Sequence, residues 1–85
     1  MNKVRKKLVL VEWVDSIQAT SGWAFLSDPP DLEIVRCKSV GWVAEESNDV
    51  LMLVPNIGNI DTESEQGMAF IRIPKVSIVS KKVLG

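Results

Sequence analysis

Apolar residues along this chain fall in short runs broken by turn residues, and no segment sustains the 3.6-residue stripe of an amphipathic helix. Val, Ile and Leu dominate the runs, so the pattern predicts strands at about 7–14, 33–45, 49–55, 67–73 and 76–83. In the first, Val9, Val11 and Trp13 share one face and Leu8, Leu10 and Val14 the other, with Glu12 the single polar interruption; both faces read as covered. The second opens with Val35 and Cys37 facing one way and Arg36 and Lys38 the other. Beyond Ser39 the large residues Val40 and Trp42 take the opposite parity, and Gly41 is the expected site of a bulge or bend that returns Trp42 to the inner face.

The connections carry equally direct signals. Residues 45–49, EESND, favour side-chain-to-backbone bonding and a tight hairpin, and Pro55 stops the third strand because it has no N–H to give to a ladder. Residues 56–66 are polar and acidic and read as a mobile loop; the capping-box spacing of Thr62 and Glu65 precedes no apolar run that would make a helix. Pro74-Lys75 marks a brief turn into the last strand. Between the first two strands lies a long irregular connection, 15–32, in which Pro29 and Pro30 stop any helix and Trp23, Phe25 and Leu26 are expected to fold back and leave water. The whole reads as one all-β domain, residues 1–85, a small five-stranded barrel with a long irregular loop between strands 1 and 2.

Size and composition narrow the chemistry. A domain of 85 residues has a thin core, and Cys37 is the single cysteine, so no disulfide supports it and a homo-oligomer is expected. The lone thiol and the lack of a secretory apolar run point to an intracellular setting, and no stretch is apolar enough to span a membrane. With no histidine, no zinc-ligand spacing and no nucleophile–base pair, the chain reads as a non-enzyme with no metal and no cofactor. Glu45, Glu46 and Asp49 cluster at a hairpin tip, where solvation is the ordinary state.

Ten Lys and Arg against eleven Asp and Glu disfavour nucleic-acid binding driven by net charge. Basic residues nevertheless collect at both ends, Lys3, Arg5, Lys6 and Lys7 and then Lys75, Lys81 and Lys82, so paired termini would make one basic edge. Edge protection is the commoner role of such lysines, a polyanion face the rarer one.

The three tryptophans decide what is left for binding. Each buries roughly 150–250 Å², worth up to about 4–6 kcal/mol at 25 cal/mol per Å², which a thin core needs. Trp13 and Trp42 are therefore assigned to packing, and Trp23 becomes the candidate binding anchor, with a lid over the barrel end as its structural alternative. Asp15 is expected to accept backbone bonds in the turn after the first strand, or to read a donor on a partner beside Trp23. Arg36 and Arg72 have outward parity and suit phosphate or carboxylate, surface ion pairs being their commoner fate. Lys75 completes the candidate set.

The pattern V-x-W-x-D at 11–15, the Gly-Trp pair at 22–23, the apolar hairpin and the ending I-P-K-x-x-I-V at 73–79 resemble small accessory proteins of tailed bacteriophages and prophages. That resemblance spans nearly the whole chain and rests on structural motifs. It implies an SH3-like or Sm-like small barrel in the cytoplasm of a bacterial host cell, and it carries no catalytic residues onto these positions. The expected function is accordingly binding, as a counter-defence protein that inhibits a host protein or sequesters a host signal nucleotide. A nucleic-acid-binding barrel and a minor structural component of the phage particle are the alternatives.

Overall fold

A computed structural model describes residues 6–16 and 19–85. Among these residues seven strands follow one another: β1 (Leu8–Asp15), β2 (Val35–Glu46), β3 (Val50–Val54), β4 (Asn56–Gly58), β5 (Gln66–Met68), β6 (Ile71–Pro74) and β7 (Ile78–Val83), with a 3-10 turn, Lys75–Ser77, before the last. Five of them form an antiparallel sheet in the order β6-β3-β2-β1-β7, and β4 and β5 form a separate small hairpin. No helix among the described residues is long and apolar enough to cross a membrane.

The connection between β6 and β7 fixes the shape of the sheet. These strands lie on opposite edges, which in a flat sheet of five strands would stand about 19 Å apart. Only the 3-10 turn joins them, and three residues of such a turn rise roughly 6 Å. The sheet therefore curls strongly, enclosing the side chains of one face. Val9, Val11, Leu51, Leu53 and Ile73 form the buried cluster there, with Trp13, Val43, Ile71 and Ile78 packed against it. The Trp13 indole N–H finds its partner in the Ser39 hydroxyl at 3.0 Å, so the ring can be packed without stranding a donor.

The 45–49 hairpin forms as the sequence predicts. Ser47 holds it: its amide donates to the Val50 carbonyl at 2.9 Å, and its hydroxyl accepts from the amides of Asp49 and Val50 at 3.2 and 3.1 Å. β3 ends before Pro55. The termini also pair, with Leu8 donating to Gly85 at 3.0 Å and Leu84 to Leu8 at 2.7 Å. Lys3 and Arg5 of the expected basic edge lie outside the described residues.

Four expectations are corrected. First, Gly41 is not a bulge: β1 and β2 stay in unbroken register from Leu8 opposite Trp42 to Asp15 opposite Val35, and the register shift falls later, between Val43 and Glu45. Gly41 lacks a side chain because a Cβ there would meet the Val54 carbonyl at 3.1 Å and Leu53 Cβ at 3.2 Å; it lets β3 approach β2 where the sheet curls. Second, Trp42 consequently keeps the parity of Val40, on the face opposite the core, where it is half-buried. Third, the predicted strand 67–73 is two strands, divided at Ala69, whose φ of 67° lies in the left-handed region.

The fourth concerns residues 56–66, which belong mostly to an ordered hairpin. Ile57 pairs with Gly67 and is half-buried, and Asn56 and Gly58 pair with Met68 and Gln66. Gly67 sits so close to Val54 and Phe70 that a Cβ would fall 2.7 Å from a Val54 methyl and 2.5 Å from the ring. The hairpin therefore covers Val54, which belongs by parity to the outer face yet is buried. Its tip is tied by polar side chains: Asp61 N–H donates to Glu65 at 2.9 Å, Thr62 O–H to the Asn59 carbonyl at 2.7 Å, and Ser64 N–H to Thr62 Oγ1 at 3.1 Å. Thr62 and Glu65, at capping-box spacing, thus secure a turn without a helix.

Candidate functional site

The long connection between Asp15 and Val35 leaves the sheet as an arm. Its ends are clamped together because Asp15 pairs with Val35, but every residue from 19 to 34 is exposed. Trp23, Leu26 and Leu32 are open to solvent over essentially their whole surface, and Phe25 over 83% of it. The expectation that Trp23, Phe25 and Leu26 fold back onto the body is therefore overturned, and the lid role of Trp23 goes with it. Local order exists without packing: a turn closes from Phe25 to Asp28 at 3.0 Å, Asp31 accepts from Glu33 at 3.1 Å, and Pro29-Pro30 stiffen the stretch between. The excursion shows in the dimensions, a radius of gyration of 17.4 Å and extents of 63 × 23 × 20 Å, against a radius of about 12 Å for a compact chain of this length.

Such exposure is costly in a chain whose buried core is so small. Full burial of a Leu, Ile or Phe side chain is worth about 1.5–3 kcal/mol, and Trp23, Phe25, Leu26, Leu32 and Ile34 all forgo most of it. An apolar surface of this kind, carried on an arm with Asp28, Asp31 and Glu33 and without a single Lys or Arg between Ser16 and Ile34, has the composition of a recognition element.

The other candidate residues divide by position. Asp15 stands at the root of the arm, exposed, and its carboxylate accepts the amide of the adjacent Ser16 at 2.8 Å. Arg36 lies beside that root on β2, opposite Val14, with its side chain on the outer face. Arg72 is also outward, opposite Met52, but on β6 at the far edge of the sheet. Neither arginine has a salt-bridge partner among the described residues. Trp23, Asp15 and Arg36 thus share one end of the β1–β2 ribbon, and Arg72 stands apart from them.

Lys75 is engaged elsewhere. Its ammonium meets Glu46 at 2.7 Å, and Lys81 approaches the same carboxylate oxygen at 3.9 Å, around an open depression that Leu51 and Ile78 also line. The hydrogen bond from Lys75, followed by the charges of Lys75, Lys81 and Lys7, holds the Glu46 carboxyl below its ordinary value. Glu46, read from sequence as a solvated hairpin residue, is exposed and is also the counter-charge of Lys75 and Lys81. Alternation carries the signal that locates it: opposite Leu51, it stands at the rim of the core face. A second depression lies between the β4–β5 hairpin and the sheet, lined by Lys6, Ala44, Val54, Ile57, Glu65 and Phe70 among others, and Lys6 there lies 3.9 Å from Glu65.

No protein-family model, curated protein or solved structure matches this chain.

Proposed function

We propose that this protein acts by binding another macromolecule, with the 19–34 arm as its recognition element and a strongly curled, SH3-like barrel as the body that presents it. One observation carries the reading: five large apolar side chains, Trp23, Phe25, Leu26, Leu32 and Ile34, stand in solvent on a single clamped excursion. The strand order, with the last strand returning beside the first after a 3-10 turn, supports the barrel class. The V-x-W-x-D and I-P-K-x-x-I-V patterns support a phage accessory protein that acts on a host protein as a homo-oligomer. Capture of a nucleotide or nucleic acid is less well supported: the charged residues of the arm, Asp28, Asp31 and Glu33, are all acidic, and Lys75 is already paired with Glu46, which Lys81 also approaches.

A photo-crosslinking residue in place of Trp23, activated in the bacterial cell, tests the proposal. One dominant protein adduct, lost when Leu26 and Leu32 are changed to Ser, is the expected result. Diffuse labelling that ignores those two changes would overturn it.

A further inference from the structure

The arm and the sheet that presents it are complementary in chemistry, although they do not touch within one chain. On β1 and β2 the face opposite the core carries Leu10, Val14, Val40 and Trp42; Val40 is 51% exposed and the others are half-buried. The β4–β5 hairpin packs on this face at Val54. Around the open part stand Arg36 and Lys82, the latter opposite Leu10, with Lys38 partly neutralised by Glu12 at 3.7 Å. An apolar strip bordered by cations thus stands in the same molecule as an apolar arm bearing Asp28, Asp31 and Glu33 and no cation.

We infer that the arm of one copy docks on the outer β1–β2–β7 face of a second copy, in a reciprocal, two-fold arm exchange. The inference rests on the reading of the arm as a binding element and names its partner. Geometry favours the second copy over the parent sheet. The arm is rooted at the Asp15–Val35 end, and its residues 19–34 are all exposed, so it does not lie on its own strands. A two-fold arrangement satisfies both molecules at once, since each supplies an arm and a face. The area is also sufficient. Trp23 and Phe25 alone bring roughly 300–500 Å² per arm, and two exchanged arms with the surface they cover reach the roughly 1,200–2,000 Å² of a stable interface.

Sedimentation velocity on the full chain, from micromolar to near-millimolar concentration, tests this. The expected species is twice the 9.4 kDa chain mass, and Trp23→Ala and Val40→Asp each raise the dimer dissociation constant by at least about thirtyfold, the scale of a buried anchor. Far-UV circular dichroism checks that both variants keep the sheet. Charge reversal at exposed positions supplies the independent arm of the test. Asp31→Lys with Glu33→Lys weakens the dimer, Arg36→Glu with Lys82→Glu weakens it likewise, and all four together restore it. A monomer at every concentration, a dimer indifferent to Trp23→Ala, or no recovery in the fourfold variant would each overturn the inference. A Trp23 adduct with a host protein, formed by a chain that stays monomeric, would overturn the exchange and leave the binding reading standing.

Discussion

Gly41 shows how one missing side chain shapes this sheet. A Cβ there would lie 3.1–3.3 Å from the backbone and Cβ of β3, tight enough that β3 must shift, so Gly41→Ala is expected to cost about 1–3 kcal/mol in urea unfolding. Gly58→Ala, with nothing within 4 Å, should stay within about 0.5 kcal/mol and serves as the control. Ala69 is the reverse case. Its left-handed φ of 67° suits glycine better, and Ala69→Gly is expected to stabilise the fold by up to about 1 kcal/mol in the same measurement. Glu46 ties stability to pH. Because its folded-state pKa is lowered, its contribution is complete above the unfolded value and disappears as pH falls through the lower folded value. Glu46→Gln should therefore melt earlier than the native chain at neutral pH, and the two melts should draw together as pH falls through the ordinary glutamate range and coincide below the lowered folded value.

Elements were legible where one physical cause dominated. β1, β2, β3 and β7 follow from apolar runs ended by turn residues, and the 45–49 hairpin follows from Ser47. Ser47→Ala removes the acceptor of two amide bonds and should lower stability by about 1 kcal/mol, read from the thermal midpoint. The β4–β5 hairpin was not legible, because its order comes from contacts distant in sequence, Val54 and Phe70 against Gly67, and from a polar network at its tip. Trp42 was misplaced for a related reason: parity alone puts it outside, and the expected bulge at Gly41 was invoked to bring it in. Of the candidate site, the outward arginines followed from parity, and Asp15 accepts a backbone bond as its residue type suggests. Trp23's full exposure ran against the rule that aromatics in a thin core are buried, and that failure is what singles out the arm.

For the whole molecule, a small buried cluster carries a long acidic, apolar arm, and the sheet beside it carries an open apolar strip with cations. Either surface alone would be an aggregation hazard; paired across a two-fold axis they account for each other. The most direct measurement is hydrogen exchange on the unmodified chain, resolved along the sequence and followed as concentration rises. Amides of residues 19–34 have almost no partners in the isolated chain, so they should exchange freely when dilute and slow progressively as molecules associate. Protection that persists at dilutions where the chain sediments as a monomer would lay the arm on its own sheet, and free exchange at every concentration would leave it undocked; either result contradicts the account.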